Sequence, residues 1–409
     1  MTVGQYDISR VRVFLDEHLE HRPSVPHGPG LGLGNRMGAI ASTSAMLAIE
    51  KLRIEGSAIQ GSVFRELAPG FLGKEVVFIE YKGIGKVPVG HTGMTIEEQF
   101  VESVRDRIKN NITIPYCADA DHIPLRGSSE DALDEFYELA FEARDRNFFT
   151  IDAHFCIDEN APTNAAKYRI LLDAIKYAAN IVSEVRENNP YVIELSMDEC
   201  SALMSEVELA YILKELARAE IKLFSVAPPI GFDKTDVDPS ESLDQLYKLL
   251  VSLSQVARDY GTILGIHSGD GKSDVILDAI GDATDGNVWY KISPDRQRLF
   301  FRLLAESLPG SPERLLFETV FHYLISLLKI NRKSDDRDLA ANSQVCLEEL
   351  ASRPQLNLTS DCKMMYHFCF LAAKEFKNGL KAVGDDFIVR YRQADFLYIA
   401  NLAERLALI

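Results

Sequence analysis

Short β-rich runs alternate with helical patterns along most of the chain up to residue 292. The runs cover residues 61–65, 76–81, 112–118, 148–152, 191–197, 221–227, 262–267 and 287–292. Helical patterns separate most of them, at residues 39–54, 96–109, 130–145, 162–187, 203–219, 240–259 and 273–281. Strands that alternate with helices form a parallel sheet with crossover helices. About eight strands in roughly 270 residues therefore predict an α/β fold, a closed (β/α)8 TIM-like barrel.

The strand signal stops after residue 298, whereas helical patterns continue to the end of the chain. They cover residues 299–306, 312–329, 338–352, 361–378 and 391–407. We therefore predict a barrel domain over residues 1–298 and a helical C-terminal extension over residues 299–409 that packs on it. The strand count depends on whether the glycine-rich run at 30–34 or the run at 61–65 belongs to the barrel.

The charge of the chain limits its partners. Lys and Arg number 44 against 61 Asp and Glu, which gives a net charge of −17. This charge disfavours nucleic acid or an anionic membrane surface as the main partner. No apolar run approaches the ~20 residues that a membrane span needs. The six cysteines are scattered without a CxxC pair, as in proteins with reduced core thiols. We expect a cytoplasmic protein that acts on a small molecule, with a homo-oligomer left open.

Acids, histidines and lysines collect at the carboxyl ends of the predicted strands. Such groups cost folding free energy at a buried strand end unless they are paired, bound to a metal or set in a wet pocket. Barrel enzymes hold their active sites at this end of the strands. We therefore predict a catalytic face at the carboxyl ends of the strands. Its residues are Asp119, Asp121, His122, Asp152, His154, Glu194, Glu199, His267, Asp270, Lys272 and Lys291.

Three histidines of this face could coordinate a divalent metal, with carboxylates completing the shell. They are His122, His154 and His267. Mixed imidazole and carboxylate ligation suits Mn, Fe, Co, Ni or Zn, and the spacing does not choose among them. Each histidine taken alone could equally be a hydrogen-bonded residue at a strand end.

An acid and a base are also available on this face. Asp121 or Glu199 could remove a proton and the other could return one, if burial raises one pKa and a metal lowers the other. In the alternative, Asp198 and Glu199 only open the following helix, whose positive dipole end favours acids.

Substrate contacts are expected from polar groups around the same face. Lys272 and Lys291 could bind a substrate carboxylate or form a Schiff base, and a surface lysine is the alternative for each. The glycine-rich run at residues 28–38 predicts a first strand and a tight turn at the site. The predicted substrate-binding residues are Asn35, Arg36, Asp152, Asp270, Lys272 and Lys291.

Six short motifs follow one another over about residues 31–300. They are Gly32-Leu33-Gly34-Asn35-Arg36-Met37-Gly38, Ala118-Asp119-Ala120-Asp121-His122, Phe149-Thr150-Ile151-Asp152, Glu194-Leu195-Ser196-Met197-Asp198-Glu199, Ala227-Pro228-Pro229 and Ile266-His267-Ser268-Gly269. In order and spacing, these motifs resemble those of the metal-dependent tagaturonate epimerases of bacterial hexuronate catabolism.

The resemblance implies a barrel with a divalent metal that interconverts D-tagaturonate and D-fructuronate by inversion at C4. It implies that His122 and His267 are metal ligands and that Asp121 is the proton acceptor. The proton donor would be an acid in the Glu194–Glu199 motif, either Glu194 or Glu199.

Two departures from the family pattern keep other functions open. The run after Gly269 differs, and Trp289 stands where the family has a histidine two residues before a lysine, here Lys291. A lysine-dependent aldolase of sugar acids is one alternative. A non-catalytic sugar-acid-binding homologue with an incomplete metal site is the other.

Overall fold

A computed structural model of the chain describes the residues on which the following account rests. The described residues are 8–34, 36–63, 78–81, 85–88, 95–187, 189–232, 242–335, 337–367, 380 and 383–409. Within them, no helix combines the length and the apolar character that a bilayer span requires.

Ten strands and fourteen α-helices are defined in the described residues. The strands are β1 Gly30–Gly34, β2 Glu55–Ser62, β3 Phe78–Tyr81, β4 Gly85–Pro88, β5 Cys117–Pro124, β6 Phe148–Asp152, β7 Val192–Ser196, β8 Ser225–Ala227, β9 Ile263–Ile266 and β10 Val288–Ile292. The helices are α1 Ile8–Glu17, α2 Ala39–Leu52, α3 Ile96–Lys109, α4 Glu130–Glu142, α5 Asn164–Lys167, α6 Arg169–Val185, α7 Glu206–Arg218, α8 Leu243–Asp259, α9 Asp274–Thr284, α10 Pro294–Ala305, α11 Pro312–Asn331, α12 Arg337–Ser352, α13 Lys363–His367 and α14 Asp385–Arg405.

Eight parallel strands close into a barrel, so the predicted (β/α)8 fold is confirmed. Their order around the barrel is β1, β2, β5, β6, β7, β8, β9 and β10, which pairs again with β1. The prediction of a barrel strand at 76–81 is wrong for residues 78–81, which pair antiparallel with β4 in a separate two-stranded sheet. Residues 76 and 77 lie outside the described residues. The barrel instead uses the glycine-rich β1 and the longer β2.

Strand β1 is rich in glycine because its neighbours leave no room for side chains. A Cβ added to Gly32 would lie 2.6 Å from Cγ of Lys291. Glycine inside a strand often marks such a close approach, at some cost in strand stability. This explains why propensity alone left the run at 30–34 uncertain.

Strand β5 begins later than predicted and contains the acidic motif. The sequence predicted a strand at 112–118, followed by Asp119 to His122, whereas the structure places the strand at Cys117–Pro124. Its register with β6 shifts between Ala120 and Ile123, and His122 has a φ of 53°. Such a bulge redirects side chains. Asp121 and His122 can therefore serve the same pocket although they are consecutive residues.

The inside of the barrel changes character along its axis. At the amino-terminal end, Trp289 stacks on Phe148 with ring centroids 5.2 Å apart, and Cys117 packs beside them. Two residues further along β10, Lys291 is buried among polar groups. Trp289 therefore lies in the apolar floor of the barrel, away from the histidines at the carboxyl ends of the strands.

The helical ring around the barrel is completed by the last helix. Helix α14 packs against α2 and α9, and its residues Ile399 and Leu402, with Leu406 directly after it, belong to the same apolar core as the barrel. Helices α10 to α13 build a second core around Phe300 and Phe317. The division at residues 298 and 299 remains a prediction.

Several helix starts are fixed by side chains that accept hydrogen bonds from backbone N–H groups of the first turn, which have no partner within the helix. Capping boxes begin three of the helices that surround the barrel, at Thr95 with Glu98, Ser205 with Glu208 and Ser242 with Gln245. Such caps stabilise helix ends by about 1 kcal/mol each.

Candidate active site

A buried lysine lies at the centre of the barrel. The Lys291 ammonium contacts carboxylate oxygens of three acids, at 2.8 Å for Asp119, 3.0 Å for Asp121 and 2.7 Å for Glu194. It also donates to Thr150 Oγ1 at 2.5 Å. Barrel interiors are usually filled by branched apolar side chains. A charged layer at this depth is therefore unusual and marks a site.

The mutual charges of this cluster set its protonation. Burial alone would lower the pKa of Lys291, but Asp119, Asp121 and Glu194 raise it well above its ordinary value. Burial alone would raise the pKa of Asp121, but His122 and Lys291 hold it well below its usual range. The lysine is therefore an ammonium and Asp121 a carboxylate.

Asp121 is the acid of the cluster that faces outward. Its side chain is 12% exposed, whereas those of Asp119 and Glu194 are 0% exposed. Its second oxygen, Oδ2, accepts a hydrogen bond from Gln60 Nε2 at 3.3 Å. Asp121 is therefore both held in place and able to reach a bound molecule.

The His267 ring is held between two acids, Glu194 and Asp198. Its Nε2 lies 2.8 Å from Glu194 Oε1, and its Nδ1 lies 3.3 Å from Asp198 Oδ1. Burial opposes the charged form, but these two acids raise the pKa of His267 to about 10. The ring meets that of His122 edge-on, with centroids 5.5 Å apart. The predicted pair of histidines is thus brought together.

The upper rim of the site gathers the remaining acids and histidines. His154 Nδ1 lies 2.6 Å from Asp152 Oδ1, and His154 Nε2 lies 3.8 Å from Glu199 Oε2. His122 Nδ1 is 3.7 Å from Asp152 Oδ2. Burial would raise the pKa of Asp152, but the nearby imidazoles of His122 and His154 lower it well below its usual range.

The rim offers a donor set for a metal ion. His122, Asp152 and Glu199 each present one ligand atom, and these three atoms lie within 4.8 Å of one another. One imidazole and two carboxylates are a set that divalent transition metals accept. His267 and His154 contribute no atom to this group of three, so their predicted roles as ligands remain predictions.

A second cluster occupies the side of the site next to β1. Asp270 accepts hydrogen bonds from the backbone N–H groups of Ser293, at 3.0 Å, and Asp295, at 2.8 Å, at the start of α10. Burial and the charge of Asp295 raise the pKa of Asp270 to about 7, while the nearby Arg36 opposes this shift. Asp270 therefore fixes the start of a helix.

Two other predicted substrate contacts, Arg36 and Lys272, lie near Asp270. Lys272 Nζ donates to Asp270 O at 3.4 Å and lies 4.9 Å from the centre of the Phe232 ring. Asn35 lies outside the described residues. Arg36 and Lys272 thus place two positive charges on one side of the site.

Three residues of the site had not been selected from the sequence. Thr150 bridges Lys291 and Asp119, Gln60 holds Asp121, and Asp198 contacts His267. Thr150 could have been found by alternation, because it shares the inward face of β6 with Asp152. Gln60 gave no signal, since its strand was expected to begin at residue 61.

Volume alone does not locate this site. A groove of about 1140 Å³ opens at the opposite, amino-terminal end of the barrel, where Ile193, Phe224 and Ile263 line it. The acids and histidines of the barrel interior lie at the carboxyl ends of the strands instead. Chemistry therefore identifies the site.

Comparison with known proteins finds one family model and several solved structures that are similar to the chain. The family model of the tagaturonate epimerases matches residues 130–309. A crystal structure of the fructuronate-tagaturonate epimerase from Cohnella laeviribosi, complexed with two glycerols, superposes with a TM-score of 0.70 at 14% identity, covering 98% of this chain and 86% of that one. The native crystal structure of that enzyme gives 0.65 at 16% identity, covering 97% and 85%.

A probable tagatose 6-phosphate kinase from Sinorhizobium meliloti 1021 gives a TM-score of 0.51 at 12% identity, covering 93% of this chain and 99% of that one. No curated protein sequence matches the chain. At sequence identities this low, the structural similarity shows a shared fold alone. The segment matched by the family model contains Asp152, Glu194, Glu199 and His267, whereas Asp121 precedes it.

Proposed function

We propose that the chain is a divergent member of the tagaturonate epimerase family, and that it is an isomerase that inverts one carbon of a keto-hexuronate. The reaction we favour is the interconversion of D-tagaturonate and D-fructuronate. One observation carries this proposal: an outward-facing carboxylate, Asp121, stands beside a metal donor set at the carboxyl ends of the barrel strands.

Asp121 acts as the proton acceptor in this scheme. C4 of a 2-ketose is β to the carbonyl, so simple enolisation cannot invert it. Asp121 takes the C4 hydroxyl proton while the C3–C4 bond breaks, and the bonding pair moves into the enediolate of the three-carbon fragment. After the aldehyde fragment rotates, C3–C4 forms again and Asp121 returns the proton to O4.

His122, Asp152 and Glu199 would hold the divalent ion. When bound there, it would supply Lewis acidity that polarises the sugar oxygens and lowers the pKa of a hydroxyl. The reaction would need this Lewis acidity, because Asp121 is a carboxylate with a depressed pKa and is therefore a weak base. Glu194 orients His267 through the 2.8 Å contact, since burial in the barrel keeps Glu194 from the substrate.

Lys291 has a supporting role rather than that of a Schiff-base nucleophile. A nucleophilic lysine must lose its proton, and the three acids around Lys291 oppose that loss. We therefore favour the epimerase over the lysine-dependent aldolase. Arg36 and Lys272 are the charges that would receive the substrate carboxylate, in an otherwise acidic site.

The test is an assay of D-tagaturonate with the purified protein and added Mn, Co, Ni or Zn, followed by NMR. We expect D-fructuronate to form with no solvent deuterium on carbon, because the proton moves only on oxygen. Asp121→Asn should lower kcat by about 100-fold or more. Deuterium at C3 would instead indicate inversion at C3 by enolisation.

The matched control is Asp158→Asn. Asp158 is an exposed acid after β6, on the same face of the barrel. Within the part of the chain that the structure describes, its side chain accepts a hydrogen bond only from the backbone N–H of Asn160. Its loss should leave kcat unchanged. Full activity of Asp121→Asn, or turnover of no sugar acid at all, would refute the proposed function.

A further inference from the structure

A buried ion pair joins the last helix to the end of the first barrel strand. Arg296, in α10, donates from Nε and Nη2 to the two carboxylate oxygens of Asp395, in α14, at 2.9 and 2.6 Å. Both side chains are 0% exposed. The same guanidinium donates to Gly34 O at 3.1 Å and Ala41 O at 2.7 Å. It thus ties α14 to the end of β1 and to α2.

Gly34 is confined on its other side as well. A Cβ built there would lie 2.3 Å from Cβ of Ser293 and 2.9 Å from Ile292 O. The backbone N–H of Ser293 is in turn fixed by Asp270 at 3.0 Å. The end of β1 is therefore clamped between Arg296 and the start of α10.

Stability alone does not explain a charged pair at this place. Apolar pairs of similar volume often replace buried ion pairs without loss of stability. They cannot donate hydrogen bonds to two carbonyl groups in fixed directions, which the planar guanidinium of Arg296 does. What the pair adds is a defined backbone position at Gly34, immediately before Asn35 and Arg36 in the chain.

We propose that Arg296 and Asp395 are positioning residues, through which the C-terminal helix fixes the end of β1 and the turn that contacts the substrate carboxylate. The part concerning substrate rests on the proposed function. The helical extension then takes part in the active site, because its last helix holds a barrel strand in place.

The test compares two double variants. In Arg296→Met/Asp395→Leu the charged pair is replaced by apolar side chains. The control is Arg12→Met/Asp145→Leu, which removes another bidentate pair, at 2.9 and 2.6 Å, between α1 and the segment before β6. Hydrogen exchange of the amides in residues 30–34 and 36–41 reports the backbone without any need for activity.

We expect the first variant to fold and its amides in these two stretches to exchange about tenfold faster or more. KM for the hexuronate should rise about tenfold with little change in kcat, because a ground-state contact is lost. The control should change neither. A purely structural role would speed exchange throughout the chain and reduce the active fraction, and so kcat, with KM unchanged. That outcome, or unchanged exchange in residues 30–34 and 36–41, would overturn the proposal.

Arg296→Lys keeps the proposal testable if the double variant does not fold. Lysine retains the charge opposite Asp395 but not the fork that also reaches Gly34. The same faster exchange is expected, and unchanged exchange would again overturn the proposal. If the wild-type protein turns over no hexuronate, the proposed function fails, while the exchange comparison still decides whether Arg296 positions β1.

Discussion

Lys291 shows at the scale of one residue how the site is held together. Its ammonium is the partner of two fully buried acids, Asp119 and Glu194. Lys291→Met should therefore lower the free energy of unfolding by about 3–5 kcal/mol, because removing one partner leaves buried charges uncompensated. The orphaned carboxylates would have raised pKa values, so the loss should grow as the pH rises from 5 to 8.

Urea unfolding at both pH values measures this effect. The control is Lys248→Met, which removes an ammonium 2.6 Å from Asp244 in a pair whose two side chains are each 72% exposed. A pair in contact with solvent contributes about 1 kcal/mol or less. Equal losses for the two variants, or a loss at Lys291 that does not depend on pH, would contradict the account.

Asp270 makes stability depend on pH in a defined direction. Burial and Asp295 raise its pKa in the folded protein to about 7, above the ordinary value of 3.8. Its contribution to stability is thus fully present below pH 3.8 and is lost as the pH rises through 7. Asp270→Asn removes this titration. Its stability relative to wild type should increase between pH 4 and 7, by up to about 1.4 kcal/mol per unit.

The slope of that difference is the measurement, obtained by urea unfolding at several pH values. Asp270→Asn also loses the hydrogen bonds to Ser293 and Asp295. That loss shifts the stability difference by the same amount at every pH, so it does not affect the slope. A difference that stays constant from pH 4 to 7 would show that Asp270 titrates normally.

At the scale of elements, the contact between α9 and α14 closes the helical ring. A Cβ built on Gly281, in α9, would lie 2.2 Å from Arg405 O and 3.0 Å from the carbonyl carbon of Leu406. Gly281→Ala should therefore push the end of α14 away, at a cost of about 1–3 kcal/mol. The better helix propensity of alanine offsets at most about 1 kcal/mol of this.

Thermal unfolding of Gly281→Ala beside Gly28→Ala tests this contact. Gly28 has no heavy atom within 4 Å of its Cβ position. Its substitution should change stability by about 0.5 kcal/mol or less. If Gly281→Ala were as stable as Gly28→Ala, α14 would not be packed tightly on the ring.

Elements with strong periodicity could be predicted from the sequence, and those shaped by neighbours could not. Strands β6, β7, β9 and β10 were predicted to within one or two residues, because their apolar runs are bounded by turn residues. Strand β5 was misplaced because its inward positions carry Asp119 and Asp121, which look like the end of a strand. Strand β1 was uncertain because Lys291 and Ser293, far away in the chain, require its glycines.

At the scale of the whole molecule, the strand order brings the predicted acids and histidines to one end of the barrel. The sequence could predict that face, because all parallel strands end there. It could not predict which acid meets which base. Glu194 and Glu199 were equal candidates in sequence, and burial separates them: Glu194 is enclosed beneath His267, whereas Glu199 joins His122 at the rim.

The last prediction concerns a metal ion and the stability of the whole chain. An ion that binds only the folded protein stabilises it by about 4 kcal/mol at a concentration 1,000 times its Kd. The protein as purified should therefore contain one equivalent of a transition metal, and a chelator should lower its Tm by several degrees.

His122→Ala should remove both the metal and the response to chelator. His322→Ala, an exposed histidine of α11, should keep both. Elemental analysis and thermal unfolding measure the two effects together. A protein without metal, whose Tm is the same with and without chelator, would mean that the acids of the rim are balanced by His122 and His154 alone.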